Sequence, residues 1–187
     1  MMKITVAKFG LVAGGLMFAG GLMVADATHE ENPANFAPVV ALDECDPATF
    51  NAPTALGPDF CRNIALGAST KLSDLFTKAA AKDPDKGWDF EPDSLNIKEG
   101  TNLNVFDQGG EPHTFTEVEQ FGGGFIPGLN APGEDVVPEC AGGFSNVAVA
   151  KTRILQGSER QITGLSKGKH LFQCCIHPWM RMEVKVK

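Results

Sequence analysis

Tyrosine is absent from the sequence, basic side chains are in the minority, and no internal repeat is evident. The chain has 187 residues with 16 basic and 23 acidic side chains, and its formal net charge is −7. A protein with this charge has no electrostatic reason to bind nucleic acid, although it would be attracted to a basic partner. Glycine and proline, by contrast, are plentiful at 21 and 12 residues. This composition favours a turn-rich β protein over a helical one, and the length fits one domain with an appendage.

The first 27 residues have the pattern of a secretory signal peptide. Two lysines give a positive start, and an uncharged apolar run follows from Phe9 to Val24. The run ends at Ala25-Asp26-Ala27, which has small residues at the cleavage positions, so we predict cleavage after Ala27. The alternative is an uncleaved membrane anchor, but about sixteen residues rich in glycine are short for a stable span. We therefore expect a periplasmic or otherwise exported protein, which would contact a membrane only through this segment if it stayed uncleaved.

Residues 28–87 differ from the rest of the chain, and we assign them to a short, partly helical N-terminal extension. Cys45 and Cys61 have fifteen residues between them, and we expect them to form a disulfide in an oxidising compartment. Apolar residues at helical spacing predict a helix from about residue 69 or 70 to Lys82, where Pro84 then stops it. We expect this extension to cover the domain that follows as a disulfide-stapled flap.

From residue 88 onward the apolar pattern changes to the period of two that is typical of strands. A glycine- and proline-rich stretch with little periodicity, residues 119–145, interrupts the strands, and loops of this length are usually functional or ordered by something else. Six to eight short strands in about 100 residues indicate an all-β sandwich. The strands are predicted at Ser94–Lys98, Asn102–Asp107, His113–Val118, Val147–Lys151, Arg160–Thr163, Lys169–Cys174 and Glu183–Lys187.

One segment near the C-terminus carries a chemical signal. Cys174, His177 and Met180 follow each other at the spacing Cys-x-x-His-x-x-Met, in a loop between two predicted strands. Thiolate and thioether ligands select copper, and two imidazoles, one thiolate and a weak axial Met describe a blue-copper electron-transfer site. A seven-residue loop can present three of these ligands to one ion. The second imidazole must then come from elsewhere in the chain.

His113 is the best candidate for that imidazole. His29 lies beside the predicted cleavage site, and His170 lies about 13 Å from Cys174 along an extended strand, too far to share the ion. His113 opens a strand after a glycine- and proline-containing turn. The alternative is that these side chains are buried without any chemistry, as Cys and Met often are. Zinc is disfavoured because structural zinc prefers four Cys or His ligands. The predicted ligands of a single copper ion are His113, Cys174, His177 and Met180.

Strand alternation distinguishes the two adjacent cysteines. Phe172 and Cys174 share one face, whereas Gln173 and Cys175 share the other. The apolar face points inward, so Cys174 is the predicted ligand and Cys175 is free to pair with Cys140. This pairing accounts for the odd number of cysteines as two disulfides and one metal thiolate. The alternative is a strained disulfide between the two neighbours, which would abolish the metal site.

These residues resemble the cupredoxins of the plastocyanin and amicyanin type. The resemblance covers about residues 88–187, and the closing ligand motif is its specific part. It implies a Greek-key β-sandwich, the cupredoxin fold, with type 1 copper near one end. The segments that carry the resemblance are Trp88–Gly100, Asn104–Asp107, His113-Thr114 and Cys174–Arg181.

The resemblance also implies roles for individual residues. His113 would be the upstream ligand and Met180 the weak axial ligand. His177 would be the more exposed imidazole, and Trp179 would belong to an apolar face on which a redox partner docks. Asp107 and Thr114 depart from the family pattern, because many members carry Asn at each position. These departures concern the reduction potential and the geometry of the site.

The function that follows is transfer of single electrons between redox partners by an exported type 1 copper protein. The alternative is a copper chaperone, buffer or sensor that uses the same ligands without electron flow. An enzyme is not expected, because a second copper site needs further histidines and only His29 and His170 remain.

Overall fold

The computed structural model describes residues 35–62 and 70–187. The predicted signal peptide, His29 and residue 69 lie outside the described residues. Within the described ranges, no helix is long and apolar enough to cross a membrane. The helices are α1 (Pro47–Phe50), α2 (Leu72–Ala80) and α3 (Val147–Lys151). The strands are β1 (Phe36–Leu42), β2 (Asp89–Glu91), β3 (Ser94–Ile97), β4 (Asn102–Asp107), β5 (His113–Thr114), β6 (Thr116–Val118), β7 (Arg153–Ile154), β8 (Glu159–Ile162), β9 (Gly168–Gln173) and β10 (Arg181–Val186).

The longer strands form two mixed sheets of four. The first has the order β2-β1-β4-β8, with β1 parallel to β4 and the other neighbours antiparallel. The second has the order β3-β10-β9-β6, with β10 parallel to β3 and the other neighbours antiparallel. The chain crosses between the two sheets from β2 to β3, from β3 to β4, from β4 to β6 and from β8 to β9. A separate ribbon pairs β5 with β7.

The inward faces of both sheets contribute to one apolar core. Leu103 and Val105 of β4 and Val184 of β10 are fully buried in the same cluster. Aromatic rings join the layers: Phe115 packs edge-on against Phe90 of β2, with the ring centroids 5.0 Å apart, and stacks on Phe172 of β9 at 4.4 Å. Packing of this kind is the main source of stability in a sandwich, because each fully buried aliphatic side chain contributes about 1.5–3 kcal/mol. The predicted all-β sandwich is confirmed.

Strand β1 is the main feature that the sequence analysis missed. We assigned residues 28–87 to an extension outside the sandwich, but β1 lies inside the first sheet between β2 and β4. Pro38 obscures the strand in the sequence, because proline cannot donate to a ladder. The structure tolerates it because β2 pairs with Val40–Leu42 and ends before Pro38, so at Pro38 strand β1 has β4 beside it but not β2.

The rest of the N-terminal segment agrees better with the prediction. The expected helix is present as α2, with Leu75 and Ala79 on its buried face. The disulfide between Cys45 and Cys61 is formed, with the two Cα atoms 6.1 Å apart. We call the described residues 45–62 and 70–88 the cap.

The structure differs from the sequence prediction at two further places, both between β6 and β7. Val147–Lys151, predicted as a strand, is the helix α3: the Asn146 side chain accepts the N–H of Ala148 and caps it, and only Val149 is buried. This prediction is wrong because two valines that alternate with two alanines fit the period of a strand or of a helix in so short a segment. The glycine-rich stretch contains short 3₁₀ turns, and one of them, Pro138–Cys140, presents Cys140 to the closing loop.

Candidate metal centre

The predicted ligands come from two places in the fold. His113 is the first residue of β5, and the other three lie in the loop between β9 and β10. Two backbone bonds shape this loop: Cys174 N–H donates to the carbonyl of Met180 at 3.0 Å, and Met180 N–H donates to the carbonyl of His177 at 2.9 Å. The loop therefore folds back on itself, and Met180 is fully buried in the core beneath it.

Three of the four predicted residues present donor atoms to a common point. Cys174 Sγ lies 3.8 Å from Nδ1 of His113 and 3.9 Å from Nδ1 of His177. The donor atoms of the three side chains all lie within 4.8 Å of one another, and all three side chains are buried. Residues 61 positions apart in the sequence are thus in contact. Two nitrogen donors and one sulfur donor suit a soft or borderline ion such as copper.

The sulfur of Cys174 is held by two backbone N–H groups. Thr114 donates to it at 3.4 Å and His177 at 3.5 Å. Burial by itself would raise the pKa of this thiol, but contact with the His113 and His177 imidazoles outweighs burial and lowers the pKa well below its usual value. The thiolate, which is the metal-binding form, is therefore favoured.

A carboxylate also lies next to the outer nitrogen of each imidazole, which is Nε2, the ring nitrogen that faces away from Cys174. Nε2 of His113 lies 2.9 Å from Oδ2 of Asp43, and Nε2 of His177 lies 3.2 Å from Oε2 of Glu111. Burial opposes ionisation of Asp43, but the hydrogen bond and charge of His113, together with backbone hydrogen bonds from Glu111 and Cys45, outweigh burial and lower the Asp43 pKa. Burial raises the pKa of Glu111, and the bond with His177 opposes this shift. Burial would lower the pKa of His113, but Asp43 and Cys174 raise it well above its usual value.

Sequence reasoning did not find these two carboxylates. Glu111 gave a weak signal, since it lies two residues before His113 in a rigid Glu-Pro-His turn. Asp43 gave none, because it reaches His113 only after β1 has taken its place in the sheet beside β4.

A third carboxyl group lies behind His113. Asp107, at the end of β4, is buried, and its oxygen is within 4.8 Å of the donor atoms of Asp43 and His113. Its Oδ1 accepts the N–H of Gly109 at 3.0 Å, whereas Oδ2 has no hydrogen-bond partner among the described residues. Burial raises the pKa of Asp107 to about 7, with His113 opposing and Asp43 adding to the shift. Near neutral pH this group is therefore partly protonated.

The cap covers the imidazole that the resemblance implied would be exposed. His177 is only 1% exposed, which corrects that expectation. The Trp88 ring packs edge-on against it with the centroids 4.7 Å apart, and Phe50 stacks on Trp88 at 6.0 Å. A cavity of about 90 Å³, with apolar walls that come largely from the cap, lies beside the same imidazole. The half-buried Trp179 lies on another side of His177, with the two ring centroids 5.6 Å apart.

The predicted disulfide pairings are confirmed. Cys140 and Cys175 form the second disulfide, and Cys174 keeps a free thiol, so the alternative of a bond between the two neighbours is excluded. His170, rejected as a ligand, is bound instead to Glu117, with 2.6 Å between Nδ1 and Oε1.

Comparison with known proteins gives distant structural similarities only. No family model matches the chain, and no curated protein matches it. A purple cupredoxin from Nitrosopumilus maritimus is 12% identical, with 81% of this chain and 99% of that chain covered and a TM-score of 0.39. A mutant of amicyanin with Cu(I) is 17% identical, with 58% of this chain and 90% of that chain covered and a TM-score of 0.35. The strand pairings and the donor distances of this chain itself define its fold and its site.

Proposed function

We propose that this chain is an exported type 1 copper protein that carries single electrons between redox partners. The observation that carries the proposal is the convergence of two imidazole nitrogens and one cysteine sulfur on a single buried point. Copper bound there would supply one-electron chemistry by alternating between Cu(II) and Cu(I). The residues that would hold the copper are His113, Cys174, His177 and Met180.

The protein's own contribution is rigidity. Both imidazoles are held at their outer nitrogens, and the thiolate accepts two backbone N–H groups. Such outer contacts orient metal ligands and tune the potential of the metal. Side chains fixed in this way move little when the charge at the centre changes, which favours fast electron transfer.

A copper chaperone, buffer or sensor is the second candidate. Transfer of the metal to another protein requires at least one ligand to leave, whereas transfer of an electron does not. The burial of His113, Cys174 and His177 supports the electron carrier over the chaperone. We also propose that the protein is a carrier and not an enzyme.

The proposal includes the location and the partner. Two disulfides fit an oxidising compartment, in keeping with export. We place the docking surface for the redox partner near His177, over Trp179, because Trp179 is the half-exposed side chain that contacts the buried imidazole.

The test is metal analysis with a visible spectrum of the exported protein. We expect one copper per chain and an intense thiolate-to-copper band near the red end of the spectrum. C174S should lose the band. M180L should alter it, while M182L, the same change at a buried methionine two residues along, should not. Copper-loaded wild type without the band contradicts the proposal, and loss of metal during reversible one-electron cycling favours the chaperone.

A further inference from the structure

The same arrangement occurs twice at this site: a buried carboxylate faces the outer nitrogen of a buried imidazole. Asp43 and His113 are both fully buried, and Glu111 and His177 are 2% and 1% exposed. Carboxylates are almost never fully buried unless they are paired, because desolvation of a charge is costly. Two such pairs around one group of donor atoms therefore require an explanation at that site.

A hydrogen bond links the Asp43 carboxylate to the backbone of Glu111. Oδ2 of Asp43 accepts the backbone N–H of Glu111 at 2.8 Å in addition to facing His113. Its Oδ1 accepts the N–H of Cys45 at 3.1 Å, which connects it to the disulfide of the cap. Asp43 is thus held by two backbone donors before any metal binds, and it fixes the turn that carries Glu111.

This geometry assigns the proton of each imidazole. A carboxylate can only accept a hydrogen bond, so the ring nitrogen that faces it carries the proton. Nε2 therefore keeps its proton in both rings. Nδ1, which faces Cys174 Sγ in both rings, is the nitrogen that gives up its proton when a cation binds.

We propose that Glu111 and Asp43 are positioning residues that hold the two imidazoles for metal binding and, through their negative charge, favour Cu(II) over Cu(I). The proposal rests on the copper function given above. Reduction adds one electron, Cu(II) + e⁻ → Cu(I), and lowers the positive charge of the centre by one. Negative charges in a buried, weakly screened site stabilise the state with the higher positive charge. The carboxylates therefore lower the reduction potential.

The test is E111Q, measured in the copper-loaded full chain. Glutamine has the length of glutamate and still offers an oxygen to Nε2–H of His177, but it has no charge. We expect the visible band and the copper content to be kept. The ratio of Cu(I) to Cu(II) affinity should rise at least tenfold, which is a positive shift of about 59 mV for a one-electron couple.

The matched control is E117Q. Glu117 also faces an imidazole, that of His170, but the pair lies on the surface and Glu117 is 53% exposed. E117Q should leave the potential of the wild type unchanged. If E111Q shifts the potential no more than E117Q does, the charge proposal is overturned. A wild type without the thiolate band would instead contradict the copper function, so the two failures are distinct.

A second measurement does not depend on the folding of E111Q. The Cu(I) form of the wild type is diamagnetic, so the ring N–H protons can be followed by NMR. We expect His177 Nε2–H to be present, shifted downfield and slow to exchange with solvent. A His177 ring protonated at Nδ1, or an Nε2–H that exchanges at the rate of a surface histidine, would overturn the assignment of Glu111.

Discussion

The hydroxyl oxygen of Thr114 accepts the backbone N–H of Cys175 at 2.7 Å, and this bond joins β5 to the loop that carries three predicted ligands. T114V keeps the shape of the side chain but leaves the buried N–H of Cys175 without its acceptor. We expect this change to lower the free energy of unfolding by about 1–3 kcal/mol. Denaturant unfolding of the metal-free protein measures it.

T114S is the matched control, because serine keeps the hydroxyl and loses only the methyl group. It should retain most of the stability that T114V loses. Equal losses in the two variants would mean that the methyl group, and not the hydrogen bond, connects the two segments.

The ligand loop was predictable from the sequence, whereas its surroundings were not. Cys174 and His177 lie three residues apart in one loop, so their spacing alone brings their donor atoms together. Strand alternation separated Cys174 from Cys175, which forms the disulfide with Cys140. Strand β4 was predicted with its observed bounds for the same reason, because alternation over six residues is a local signal.

Features that depend on contacts between distant segments were missed. Asp43 lies 70 positions from His113 and approaches it only because β1 pairs with β4. The burial of His177 depends on the cap, which includes Trp88. The residues next to His177 in the sequence give no sign of this cover. Local patterns give the elements and the nearby ligands, while the surroundings of the site depend on the tertiary fold.

Removal of the Cys45–Cys61 disulfide should destabilise the cap. The disulfide closes a loop at a sequence separation of 16 and thereby restricts the unfolded chain. C45A/C61A removes this restriction, and we expect the free energy of unfolding to fall by about 3 kcal/mol. Denaturant unfolding without reductant measures the loss, and limited proteolysis should show earlier cleavage within residues 45–62. A variant as stable as the wild type would mean that core packing alone fixes the cap.

Copper should stabilise the wild type but not C174S. A ligand that binds only the folded state at 100 times its dissociation constant adds about 2.7 kcal/mol to the free energy of unfolding. Calorimetry with and without copper should therefore show a rise in the melting temperature of the wild type only. An equal rise in C174S would place the bound copper away from Cys174.

The buried carboxyl group of Asp107 makes the stability of the metal-free protein depend on pH. Its pKa is raised to about 7 in the folded protein, against about 3.9 in an unfolded chain. Between these two values the folded protein holds a proton that the unfolded chain has lost. The stability due to this group is therefore fully present below about pH 4 and is lost as the pH rises through about 7.

D107N removes this titration and introduces the residue that the family resemblance leads one to expect at the position. Three pKa units correspond to about 4 kcal/mol at most, so between pH 4.5 and pH 8 the wild type should lose up to this amount relative to D107N. Urea unfolding of both metal-free proteins at several pH values measures the difference, and the other ionisable groups largely cancel because the two proteins share them. Parallel curves for the two proteins across this range would show that Asp107 is ionised in the folded protein despite its burial, because His113 or another neighbour compensates its charge.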